Sequence, residues 1–164
     1  MAETATKGLT PLARLALVLI VVFLVTGFYW YGFDAETRNR MWEQLVERPT
    51  EKMKFRFLLQ PLMSALAAFR DAVEDAKLGR APYFWSLLTH PSDRVERLGE
   101  GLVSTARVIL LGLAMDIVYQ WFVLGTFFPG EAVIVALALA FLPYVLLRGP
   151  FGRLARLWVR PDAK

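Results

Sequence analysis

The chain has no cysteine and a single histidine among its 164 residues. The first absence excludes disulfides, thiolate metal sites and cysteine nucleophiles. The second leaves His90, beside Pro91 in a connecting segment, without the companion ligands that a metal centre needs. Signature motifs are equally scarce. Gly99-Glu100-Gly101 followed by Ser104 matches a dinucleotide fingerprint only superficially, because serine stands where the third glycine belongs and no strand pattern precedes it. Nothing in the order of serine, histidine and acidic residues sets a nucleophile beside a base. The sequence therefore implies no catalytic residue, no metal and no cofactor, and a net charge of +4 is too small to nominate nucleic acid as a partner.

Apolar residues, by contrast, make up 56% of the chain with a mean hydropathy of +0.42, above the roughly 45–50% of soluble domains. They fall in blocks with the charges pushed between them, the pattern of a chain that faces lipid. The first block, 15–33, is free of charge, and about 18 residues at ~1.5 Å each nearly cross a ~30 Å hydrocarbon core. Lys7 and Arg14 precede it as they would in a signal peptide. The cluster Phe28, Tyr29, Trp30 and Tyr31, where small residues would mark a cleavage site, fits an interfacial belt and hence an uncleaved anchor.

The connection 34–102 is rich in charge. Met41, Trp42, Leu45 and Val46 form one face of a short surface helix that Pro49 stops. Phe55 to Phe69 is apolar but short and is interrupted by Gln60 and Pro61. Gln60, Ser64, Asp71 and Asp75 share one stripe at helical spacing, which predicts an interfacial amphipathic helix over 55–78, with a re-entrant or fourth spanning segment as the alternative. Asp93 and Glu96 have capping-box spacing and predict the start of a helix leading into a second span, 108–128. Pro129-Gly130 then reads as a tight turn, and a third span, 132–147, returns to Arg148-Gly149-Pro150. The fold class is all-α integral membrane: three transmembrane helices, the second and third an antiparallel hairpin, plus the interfacial helix and a basic tail.

Arg and Lys crowd 34–102 and the tail 148–164, and none occurs in the hairpin turn. This asymmetry predicts a multi-pass protein of the bacterial inner membrane with the connection and C-terminus cytoplasmic, and the N-terminus and hairpin turn outside. Four spans would move the N-terminus inside and leave the C-terminus in place.

Asp116 lies within the second span, where a charge costs several kcal/mol. Gly112, Asp116 and Gln120 share a face with Ser104, and Ala132, Ala136 and Ala140 form a small-residue stripe on the third span that permits close helix approach. A turn at Pro129-Gly130 brings Asp116 level with Pro143 and Tyr144, so Tyr144 is a candidate donor to it, with Tyr119 one turn along. In the tail, Arg153, Arg156 and Arg160 oppose Phe151, Leu154 and Trp158 around a helix, an arrangement for anionic lipid headgroups. The resulting expectation is a non-enzymatic accessory or scaffolding subunit of a larger membrane assembly, or a homo-oligomer. The alternatives are a proton- or ion-coupled transport component using Asp116 and an anionic-lipid-interacting protein.

Overall fold

The computed structural model describes residues 8–32, 39, 42, 54–80, 82–89 and 91–159. The surface helix expected around Met41, Leu45 and Val46, the histidine at position 90 and the tail residue Arg160 lie outside the described residues. Among the described residues all regular structure is helical. In chain order the elements are α1 (Pro11–Tyr31), α2 (Lys54–Lys77), α3 (Tyr83–Thr89), α4 (Arg94–Tyr119), α5 (Pro129–Ala136) and α6 (Leu142–Ala155). A π turn, Gln120–Leu124, extends α4, and a second, Leu137–Phe141, joins α5 to α6. Three continuous helical stretches are long and apolar enough to cross a membrane: Pro11–Tyr31, Pro91–Leu124 and Pro129–Ala155.

Local chemistry sets the ends of these helices. Thr10 caps α1 by accepting from the Ala13 amide at 3.3 Å, and Pro11 takes the first helical position, where its missing N–H costs nothing. The α2 helix closes in a Schellman motif: the Arg80 amide donates to Asp75 O at 3.0 Å, the Gly79 amide to Ala76 O at 3.3 Å, and Gly79 adopts φ 65°. Arg94 donates from Nε to Leu87 O and from Nη2 to Leu88 O, satisfying the last carbonyls of α3. Asp93 flanks α4, but its side chain makes no capping bond there and instead accepts from Ser92 Oγ at 2.8 Å, so the expected capping box does not form.

The hairpin turn also differs from the sequence reading. Gly125, at φ 64°, makes the left-handed bend, whereas Pro129 is the first residue of α5 and Gly130 has no positive φ. Proline is preorganised for a helix's first turn. This moves the bend about four residues toward the N-terminus and shifts the register of the whole hairpin. The third helix, in turn, does not stop at 148–150. It runs through Pro150 to Ala155, since one backbone bond lost to proline is tolerable where neighbouring helices hold the segment.

The helices alternate in direction. Leu9 lies against Gly99, and Tyr31 Oη donates to Phe127 O at 3.1 Å, so α1 runs parallel to α4 and ends at the hairpin turn. Gln60 Nε2 donates to Val108 O at 3.4 Å, whereas Asp71 meets Ser104, so α2 runs antiparallel to α4. One end of the bundle thus gathers the start of α1, α3 and the ends of α2 and α6. The other gathers the end of α1 and the hairpin turn.

Close packing depends on small residues. A Cβ on Gly27 would sit 2.6 Å from Gly130 N, so α1 and α5 touch backbone to backbone there. Ala13, Ala16, Ala132, Ala136 and Ala140 are fully buried in the main core with Ile109 and Leu113. The α2 helix turns its polar stripe inward: Gln60, Ser64 and Asp75 are buried beside Ala68 and Ala72, while Phe55, Leu58, Leu62 and Leu66 face outward. The stripe read from sequence is real, but it faces protein.

Candidate functional site

At the charged end, side chains from α2, α3, α4, α6 and the turn after α2 converge on Arg148, which is only 4% exposed. Its Nε donates to Asp75 Oδ2 at 2.8 Å, its Nη2 to Glu100 Oε2 at 3.3 Å and its Nη1 to Tyr144 Oη at 2.6 Å. The guanidinium also lies 4.3 Å from the centre of the Tyr83 ring, within cation–π range. Asp75 and Glu100 in turn share Arg97, whose Nη1 is 3.3 Å from Asp75 Oδ1 and 3.1 Å from Glu100 Oε2. Arg80 Nη1 reaches Glu100 Oε1 at 3.1 Å. Asp71 completes the cluster: its Oδ2 accepts from Ser104 Oγ and from Tyr144 Oη, each at 2.5 Å.

Three acids face three arginines, so the cluster is close to neutral. That balance lets charges persist where isolated ones would be prohibitively costly. Tyr83 Oη donates to Arg97 O at 2.6 Å. Burial pushes the Tyr83 hydroxyl pKa up to about 12, the neighbouring Arg148 opposing only part of that shift. A cleft of about 790 Å³ opens beside the cluster, between Gly8 and Leu9, just ahead of α1, and the facing turns of α2 and α4, and Asp71, Asp75, Glu100 and Arg148 line it. Among the described residues, no group of three histidine or acidic side chains is arranged to hold a metal ion.

The second polar centre lies toward the hairpin turn. Asp116 is fully buried, and Gln120 Nε2 donates to its Oδ2 at 2.6 Å. The same amide clamps the turn: Gln120 Oε1 accepts from the Phe128 amide at 2.5 Å, and Nε2 lies 3.4 Å from Phe128 O. Asp116 therefore orients the side chain that holds the start of α5. Glu131, also buried, stands in the first turn of that helix, where the helix dipole favours a negative charge.

Of the residues singled out from sequence, Gly112, Asp116, Tyr119 and Gln120 are buried on α4, and Ala132, Ala136 and Ala140 on the facing helix. A Cβ on Gly112 would lie 3.4 Å from Ala136 Cβ and collide with the Gln60 amide, so glycine makes room for both neighbours. Tyr144 does not reach Asp116. With the bend at Gly125, Gly112 pairs with Ala136, which sets Asp116 near Ala132 and leaves Tyr144 to Asp71.

The tail also departs from the expected division. Phe151 packs on Phe69 with ring centroids 5.7 Å apart, and Arg156 Nη2 donates to Arg80 O, while Leu154, Leu157 and Trp158 are exposed beside Arg153. Sequence reasoning missed Asp71, Asp75, Tyr83, Arg97, Glu100 and Arg148 as a set. The available signal was that Asp71 and Asp75 continue the stripe of Gln60 and Ser64. No family model, curated protein or solved structure matches this chain.

Proposed function

We propose that this chain is a non-enzymatic membrane protein that serves as a scaffolding or accessory subunit of a larger membrane assembly, or of a homo-oligomer. The observation that carries this reading is the charge-balanced clasp on Arg148, which joins α2, α3, α4 and α6. Its ionic groups are committed to one another, as suits a rigid element that presents an apolar outer surface.

The same geometry favours α2 as a fourth membrane-embedded helix. Gln60 lies level with Gly112 and Asp71 with Ser104, so the outward residues Phe55, Leu58, Leu62 and Leu66 stand at the depth of the spans on either side. Exposed aromatics mark both boundaries: Tyr29, Trp30, Trp121 and Phe122 at the turn end, Phe84, Trp85 and Trp158 at the charged end. In this arrangement both termini lie on one side. We read that side, from the basic residues of the charged end, as the cytoplasmic face of a bacterial inner membrane, with Arg153 and Trp158 at anionic headgroups.

Purification in mild detergent at native expression, with identification and quantitation of co-migrating species, tests the proposal. A stoichiometric partner subunit or a defined homo-oligomer is expected. A lone monomer that retains the full cellular function of the gene refutes it.

A further inference from the structure

The α1 and α2 helices both pack on α4 but hardly touch one another, so one face of α4 is left uncovered between them. Gly99 turns toward α1, where it meets Leu9, and Ser104 toward α2, where it meets Asp71. Between these two directions runs a stripe of Glu96, Val103, Arg107, Leu111, Ala114 and Val118, at helical spacing and at least partly exposed along its length. At its charged end this groove widens into the cleft of about 790 Å³. Trp121, largely exposed, marks the opposite boundary. Arg107 precedes it by 14 residues, about 21 Å of helix rise, which sets it about 9 Å inside a ~30 Å hydrocarbon layer. Glu100, two turns further out, falls at the boundary. Among the described residues no carboxylate pairs with Arg107. Long helical side chains lean toward their own N-terminus, which for Arg107 is the direction of the cleft.

The order of charge along the groove selects its occupant. A guanidinium at that depth needs an anion, and its planar fork suits a phosphodiester. Beyond it the cleft is lined by five acids against two arginines, Arg80 and Arg148. Both arginines are engaged with Asp75 and Glu100, whereas Glu74 and Glu96, exposed at the cleft, take part in no ion pair among the described residues. From this order we infer that the groove between α1 and α2 holds a phospholipid with a primary ammonium headgroup, of the phosphatidylethanolamine class. Its phosphodiester lies on Arg107, its ammonium at Glu74 and Glu96, and an acyl chain along Leu111, Ala114 and Val118. In such a lipid the phosphate is next to the acyl chains and the ammonium is outermost, the same order as the guanidinium and the carboxylates here. A purely anionic headgroup would bring its charge against the acids of the cleft and offer them no cation. A partner helix would need both an acid and a lysine in that register. The inference goes beyond the scaffold reading and takes from it only the place of α2 in the bilayer.

The test uses the full chain, purified in mild detergent, delipidated and titrated with phosphatidylethanolamine or phosphatidylglycerol of identical acyl chains, with bound lipid counted by native mass spectrometry. Retention of one phosphatidylethanolamine, several-fold tighter than phosphatidylglycerol, is expected. Arg107→Gln is expected to weaken it several-fold and Arg107→Lys to keep most of it. Glu74→Gln combined with Glu96→Gln is expected to abolish the preference between the two lipids, a readout that general loosening of the fold would not move. Leu62→Val, on the outer face of α2, is expected to change nothing, and all variants are compared at equal helicity and elution volume. In cell membranes, a photo-crosslinker at Ala114 is expected to capture lipid. Equal retention of the two lipids, undiminished retention in Arg107→Gln, a preference that survives in the double variant, or capture of a protein from position 114 overturns the inference. Labelling of Tyr29→Cys and Thr89→Cys from the same side of the membrane removes α2 from the bilayer and overturns it as well. Selective retention by a lone monomer that keeps the gene's full cellular function supports the lipid site and refutes the scaffold reading.

Discussion

Replacing Arg148 with methionine removes the centre of the ionic clasp while keeping much of the apolar stem. The lost contacts are the 2.8 Å pair with Asp75, the 3.3 Å pair with Glu100, the 2.6 Å bond to Tyr144 and the stacking 4.3 Å from the centre of the Tyr83 ring. What remains is three acids facing Arg97 and the half-exposed Arg80, so one negative charge is uncompensated in a largely buried cluster. Breaking a buried pair from one side typically costs about 3–5 kcal/mol. Because Arg97 and Arg80 still reach Asp75 and Glu100, the lower part of that range is expected.

The assay is unfolding in mixed micelles with increasing dodecyl sulfate, followed by circular dichroism. Arg80→Met is the control. Its guanidinium is 44% exposed, and an exposed pair contributes about 0–1 kcal/mol. Arg148→Met combined with Asp75→Leu is expected to recover part of the loss, because the uncompensated acid goes with its partner; coupling of about 0.5–3 kcal/mol between contacting residues is the usual range. If Arg148→Met costs no more than Arg80→Met, or if the two changes simply add, the clasp does not hold the bundle together and the argument built on it fails.

Further outcomes are expected at three other places. Gly27→Ala should destabilise by about 1–3 kcal/mol through overpacking, since its Cβ would lie 2.6 Å from Gly130 N; Gly130→Ala, whose Cβ would meet only Gly27 Cα at 3.7 Å, should be far milder, and equal effects in the same unfolding assay refute the close approach. Tyr83 has a folded pKa raised from 10.0 to about 12, so its contribution is complete below pH 10 and is lost as pH rises through about 12. By linkage this amounts to about 3 kcal/mol at most, and Tyr83→Phe should flatten the alkaline fall of the unfolding midpoint. Finally, the absence of native cysteine makes single-cysteine labelling clean: Gly8→Cys, Thr89→Cys and Leu157→Cys should label from one side of the membrane, and Tyr29→Cys and Thr126→Cys from the other. Tyr29 and Thr89 labelling from the same side restores the three-span arrangement.

The apolar runs of α1, α4 and the α5–α6 stretch were legible because length and absence of charge are one-dimensional signals that need no partner. The register of the hairpin was not. Both Gly125 and Pro129-Gly130 offer turn chemistry, and the choice between them moves Asp116 by several residues relative to the facing helix. Proline at a helix's first position and proline in a turn look alike until the following residues are seen to be helical. The consequence is specific: the misplaced bend offered Tyr144 to Asp116, whereas the actual one gives Tyr144 to Asp71 and Gln120 to Asp116.

The meaning of the α2 stripe was the harder problem, because periodicity fixes which residues share a face but not what that face meets. In water the polar face of a helix turns outward. Among helices in lipid the preference inverts, since apolar side chains gain nothing by leaving hydrocarbon and polar ones must find partners inside. Gln60, Ser64, Asp71 and Asp75 were therefore grouped correctly but aimed at headgroups. Aimed inward, Asp71 and Asp75 meet Ser104, Arg97, Tyr144 and Arg148, residues up to 73 positions away in sequence. Two of those partners, Arg97 and Arg148, read alone, look like ordinary charged flanks of neighbouring spans. Pattern alone therefore leaves a choice, and charge resolves it: acids on the inward face of one helix require cations on the inward faces of its neighbours. Arg148 meets that demand for α2, which is why this arginine, at the expected end of a span, is buried while Arg153, five residues on, is exposed.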